Sequence, residues 1–110
     1  MNIDSIRQTL TENLNKEKSK DVNVDINVNV ISEANGKFAV QIHNSNIEIN
    51  EGNIDKADIT VGFLNKDIMI DMFLNGANPM SLVMKGQMTF NGDMQKGKSL
   101  KGLFMKEGKL

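Results

Sequence analysis

The stretch VNVDINVNVI, Val22 to Ile31, constrains this chain more than any other. From Val22 to Val30 every second residue is aliphatic, and Asn23, Asp25, Asn27 and Asn29 stand between them. Side chains in a strand alternate between faces, so this segment is a strand with one dry face and one wet face. A chain built around it needs a sheet whose apolar side is covered and whose other side meets water.

The same period of two returns at Phe38, Val40 and Ile42, at Ile47 and Ile49, at Ile59, Val61 and Phe63, and at Met88 and Phe90. Asn35-Gly36 has the chemistry of a tight hairpin and Asn44-Ser45 of a second turn, which predicts an antiparallel meander of the first three strands. Helical spacing takes over elsewhere. Ile3, Ile6, Leu10 and Leu14 fall on one arc of an opening amphipathic helix. Asn65 is placed to cap a helix beginning at Lys66 and stopped by Gly76, and Asn78-Pro79 supplies a cap and first residue for another. From Asp93 the chain reads as a last helix with Leu100, Leu103 and Phe104 on one side. Gly97 and Gly102 would each cost that helix about 0.5–1 kcal/mol relative to Ala. The expected order is α-β-β-β-β-α-α-β-α, an α+β fold of two layers with five strands and the helices packed on one face.

At 110 residues and 12.2 kDa the chain fits one domain, residues 1–110, with no room for a second core. Thirteen basic and fourteen acidic groups nearly cancel, and with no Trp or Tyr and five Phe the chain has little to hold nucleic acid. The absence of Cys leaves no disulfide or thiolate metal site. No apolar run is long enough to span a membrane or act as a leader, so a soluble, cytoplasmic protein is expected. Charge is unevenly placed: residues 85–110 carry six basic groups against two acidic ones. That tail is a solvated lysine face or a patch that meets anionic lipid.

GDMQKGKS, Gly92 to Ser99, matches the phosphate-loop pattern G-x-x-x-x-G-K-S. A working phosphate loop sits in a parallel sheet with an acidic partner at the end of a neighbouring strand, and the hairpins expected here do not build one. Nucleotide binding through Gly92–Ser99 is therefore the weakest of the functional readings. His43, the single histidine, falls at a strand end on the wet face, and Asp67 and Asp71 share the exposed stripe of their helix. No catalytic residue, metal site or cofactor is expected from these groups.

The helix KDIMIDMFLNG is apolar over most of its circumference, with Asp67 and Asp71 as its acidic groups, and such a helix must be covered on more than one side. Seven of the eight methionines lie between positions 69 and 105. Methionine fills irregular cores and also lines apolar surfaces that adapt to varied partners. Another helix, a partner subunit or an apolar ligand would satisfy the second side.

ADITV (Ala57–Val61), Asn65 and Asp67 at a helix start, LNGANPMSLVMKGQMTFNGDM (Leu74–Met94) and the closing Leu100, Leu103 and Phe104 together resemble the sterol carrier protein 2 (SCP2) domain family. The resemblance implies a non-enzymatic domain with an apolar tunnel between sheet and helices that takes a small apolar lipid: a sterol, fatty acid or acyl-CoA. It places Gly92-Asp93-Met94 in a strand-to-helix turn, leaving the phosphate pattern a coincidence of Gly97, Lys98 and Ser99. The residues expected to line the tunnel are Ile68 and Met72 on one helix and Met80, Val83 and Met84 on the next. Met88 and Phe90 would follow from the fifth strand, and Leu100, Leu103 and Phe104 from the closing segment. That segment is expected to act as a lid, with Lys96, Lys98, Lys101 and Lys106 meeting an anionic head group or membrane surface. The alternative is a protein-interaction module, monomer or homodimer, in which the Met-rich surface is covered by protein and no tunnel exists.

Overall fold

The computed structural model describes residues 2–100 and 102–104. The order is α1 (Ile3–Asn13), β1 (Asn23–Val30), β2 (Lys37–His43), β3 (Asn46–Glu51), β4 (Ile59–Phe63), α2 (Lys66–Leu74), α3 (Pro79–Met84), β5 (Met88–Gly92) and α4 (Met94–Lys98). The strands form one sheet in the order β3-β2-β1-β4-β5.

Strands β1, β2 and β3 are the antiparallel meander that their turns predict. The two turns differ from expectation in which one is tight. Asn44 and Ser45 both have positive φ, 51° and 71°, and join β2 to β3 directly, with His43 opposite Asn46. The β1–β2 connection is instead six residues, 31–36, in which Asn35 alone of the Asn-Gly pair takes a positive φ. Gly36 is there for space, because a Cβ would lie 2.2 Å from the Val30 carbonyl oxygen.

Strand β4 does not extend the meander. It lies beside β1 and parallel to it, with Ile26 opposite Ile59 and Val30 opposite Phe63, and β5 then pairs with β4 antiparallel. The sheet is mixed. The connection from β3 to β4 is held against the polar face by Asn27, whose Nδ2 donates to the Ile54 carbonyl and whose Oδ1 accepts from the Ile54 N–H, each at 2.8 Å. Asn53 adds a bond to the Phe38 carbonyl at 3.1 Å. An asparagine of the wet face is therefore buried, with both the nitrogen and the oxygen of its amide hydrogen-bonded.

Val24, Ile26, Val28, Val40, Ile59, Val61 and Phe63 are completely buried under the helices. Ile6 and Leu10 of α1 join them, and Arg7 Nε ties that helix to the Ile49 carbonyl of β3 at 2.9 Å. Asn65 Oδ1 caps α2 through the Ile68 N–H at 3.0 Å. The second side of α2 is met in part by α1, across a seam enclosing about 70 Å³ between Ile6, Leu10, Met69 and Phe73. Its Phe73 ring also stands between Phe63, 5.9 Å away, and Phe104, 5.5 Å away at 89°.

The last helix is shorter than its sequence suggests. α4 ends at Lys98, Ser99 and Leu100 continue as turns, and Gly102 has φ 78°. Leu100, Leu103 and Phe104 are buried from this turning segment, not from one face of a helix. Among the described residues, no helix is long and apolar enough to cross a membrane.

Candidate functional site: an apolar cleft between α2, α3, β5 and α4

Three short-range signals shape the region. Asn78 Oδ1 accepts from the Met80 and Ser81 N–H groups and Pro79 follows at the first helical position, so α3 starts sharply after α2. Gly86, φ 73°, ends α3 and lets β5 begin two residues later. Asp93 then caps α4, its Oδ1 accepting from the Gln95 and Lys96 N–H groups at 2.9 and 3.2 Å.

These elements leave a cleft of about 440 Å³ open between them. Met72 of α2 forms its floor with Met88 and Phe90 of β5, and Leu100 closes the end. Asn78, Pro79, Met80 and Val83 make the α3 wall; Met94, Gly97 and Lys98 make the α4 wall. Among the described residues the lining is apolar apart from Asn78 and Lys98. Apolar clefts of about 300–1,000 Å³ are the usual form of a small-molecule site.

Of the ten residues expected to line a tunnel, Met72, Met80, Val83, Met88, Phe90 and Leu100 come together here. The other four do not. Ile68, Leu103 and Phe104 are spent on the core, and Met84 points away from the cleft, 82% exposed. Asn78, Pro79, Met94 and Gly97 line the cleft without having been assigned to it, and Lys98, expected to meet a head group or a membrane surface, lines it as well. Met94 carried the signal, since it belongs to the methionine cluster; Gly97 carried none, because its place depends on the Phe90 ring that packs against it.

The lysines of the closing segment divide. Lys96 Nζ lies 3.3 Å from Asp58 Oδ1, at the start of β4. Lys98 faces the cleft, and Lys101 and Lys106 fall outside the described residues. The Asp25 backbone N–H, donated to Asp58 Oδ2 at 2.8 Å, holds the Asp58 carboxyl below the usual carboxylate range, and Lys96 adds to this against the opposing effect of partial burial. His43 Nε2 lies 2.8 Å from Asp25 Oδ1 and Nδ1 3.1 Å from Asn23 Oδ1, on the polar face of the sheet and away from the cleft.

Gly92–Ser99 does not form a phosphate loop. In that motif the lysine and serine open a helix, whereas here Lys98 is the last residue of α4 and Ser99 its C-cap. The amides at the start of α4 already bond to Asp93, and the preceding strand is antiparallel to its neighbour.

A family model for the alkyl sulfatase C-terminal domain matches residues 1–108. Among solved structures, the stereoselective inverting sec-alkylsulfatase Pisa1 from Pseudomonas sp. superposes with a TM-score of 0.80 at 19% identity, over 96% of this chain. The match covers 16% of the length of that sulfatase. The ubiquinone synthesis protein UbiJ-SCP2 gives 0.74 at 15% identity, over 92% of this chain and 90% of its own. Palmitated SCP2L2 from Aedes aegypti gives 0.60 at 14% identity, over 91% of each chain. No curated protein matches the chain. With the family model spanning nearly all of its length, the chain belongs to the alkyl sulfatase C-terminal domain family, and its fold is the one shared with the SCP2 domains.

Proposed function

We propose that this domain binds a small apolar lipid, of the fatty-acid, sterol or acyl type, in the cleft between α2, α3, β5 and α4, and does no chemistry on it. The observation that carries the reading is the cleft itself: about 440 Å³ lined by Met72, Met88, Phe90 and Leu100 and by residues of the two short helices α3 and α4. Each CH₂ that leaves water for such a surface contributes about 0.8 kcal/mol, so a chain of moderate length binds with few polar contacts. The four methionines among the described lining residues suit ligands of varied shape. The names of the solved relatives point the same way, one being an alkylsulfatase and another a palmitated sterol-carrier-like protein. Loading from an anionic lipid surface fits Lys98 on the cleft wall; Lys96 is engaged by Asp58.

The test is displacement of a neutral fluorescent probe by fatty acids of increasing length, in wild type and in Met80→Glu. Met80 is 55% exposed, so the variant folds while placing a charge in the apolar wall. Affinity that rises with chain length and falls at least about tenfold in the variant supports the reading. Wild-type protein that takes up no chain of any length rejects it.

The exposure of Met80, Met84 and Met94 favours a second reading, in which this rim is covered by a protein partner or a second copy. Sedimentation over a dilution series separates the two, since an interface of that kind makes the apparent mass depend on concentration.

A further inference from the structure

We infer that the cleft selects a single-chain amphiphile with an anionic head group, and that Lys98 is the side chain that holds the head. The inference rests on the lipid-binding reading above and specifies its ligand.

The charge pattern carries it. Among the described residues, Lys98 is the one charged residue in the lining. The other polar side chain there, Asn78, spends its Oδ1 on the Met80 and Ser81 amides, which leaves only its Nδ2 as a donor. Among the described residues, side chains of the cleft thus offer a cation and an amide donor, with no carboxylate and only thioether sulfurs as weak acceptors. A carboxylate, sulfate or phosphate finds donors and an opposite charge; a quaternary ammonium finds no carboxylate among these residues and meets the like charge of Lys98, with the Phe90 ring as its one aromatic contact.

Position on α4 separates Lys98 from its neighbour. Residues two apart on a helix point to nearly opposite sides. Lys96 accordingly reaches the sheet and pairs with Asp58, whereas among the described residues no carboxylate lies within ion-pair distance of Lys98. A lysine with no carboxylate partner among the described residues, at the edge of an apolar cleft, is available for a ligand's charge. At about 440 Å³ the cleft is near the lower end of small-molecule sites, a size that suits one acyl chain.

The experiment compares submicellar dodecanoate, dodecyl phosphate, 1-dodecanol and dodecyltrimethylammonium as competitors of a neutral fluorescent probe. It uses wild type, Lys98→Gln, Lys98→Arg and, as a control for overall charge, Lys37→Gln. In wild type and Lys37→Gln the two anions should compete about fivefold better than the alcohol, with the cation weakest. Lys98→Gln should bring anions and alcohol to one affinity without weakening the alcohol, and Lys98→Arg should keep the preference. The phosphate arm separates phosphate monoesters from carboxylates. Equal competition by anion and alcohol in wild type, or a preference untouched in Lys98→Gln, overturns the assignment of Lys98 and leaves lipid binding standing. Failure of all four competitors overturns both.

Discussion

The ring of Phe90 lies so close over Gly97 that a Cβ built on that glycine would fall 2.6 Å from Phe90 Cζ and 2.9 Å from Cε2. Strand β5 and helix α4 meet at this contact, and both residues line the cleft. A glycine that weakens a short helix is thus what lets an aromatic floor fit beneath it.

Gly97→Ala should therefore separate stability from binding. Alanine favours the helix by about 0.5–1 kcal/mol, and the atoms it meets are the free end of a side chain that can turn. The unfolding midpoint should stay close to wild type. The new methyl and the displaced ring take up cleft volume, so retention of a bound acyl chain should drop several-fold in a displacement assay. Full retention in the variant would show that Phe90 turns out of the cleft.

Gly92→Ala should behave in the opposite way. Gly92 has φ 125°, and its Cβ would sit 2.2 Å from the Asp58 carbonyl oxygen and 2.9 Å from Ile59 Cα. These are backbone atoms of the paired strand and cannot step aside. Relief means parting β5 from β4 and losing the Asp93 N–H bond to the Asp58 carbonyl at 3.0 Å. A loss of about 2–4 kcal/mol is expected in urea unfolding. A loss under about 1 kcal/mol would mean that the strand end relaxes freely.

Phe104 joins the closing segment to the core. It is 1% exposed and meets Phe73 edge-on, and the neighbouring Leu103 carbonyl accepts from the Asn15 N–H at 2.6 Å. Phe104→Ala should cost about 3–5 kcal/mol as a single cooperative transition. If hydrogen exchange instead speeds up only around α4 while the global midpoint holds, the segment is an appendage and not part of the core.

What could be read from the chain follows the range of the forces involved. Val24 to Val30, and the caps at Asn65 and Asn78-Pro79, act within a few residues, so periodicity and cap chemistry locate them. The parallel placement of β4 against β1 is not written in either strand. It depends on residues 53 and 54 crossing the wet face, where Asn27 looks like any other solvent-facing asparagine until Ile54 arrives. The cleft is legible to the same degree: Met72, Met88 and Phe90 are placed by period. Met84 and Met80 share one helical stripe in the sequence, yet only Met80 reaches the cleft. Gly102, with its left-handed φ, is what turns Leu103 and Phe104 into the core, and a helix reading of that segment misses it.

Asp58 links the sheet to the cleft's α4 wall, and its titration should be visible as acid sensitivity. Its carboxylate accepts from the Asp25 N–H and faces Lys96, so its pKa in the folded protein lies below the unfolded value of about 3.9. A carboxyl whose pKa falls on folding stabilises the native state fully above the unfolded value. That contribution is lost as pH drops through the folded one. Wild type should therefore lose stability more steeply below about pH 4 than Asp58→Asn, which keeps an acceptor for Asp25 but has no charge for Lys96. Near neutral pH, where that contribution is fully present, Asp58→Asn should be the less stable protein and should release a bound chain faster, because α4 has lost its tie to β4; in acid the two proteins should converge. Unfolding curves taken at steps from pH 7 to pH 2.5 test the sign. Parallel pH profiles for the two proteins would place the acid-sensitive group elsewhere.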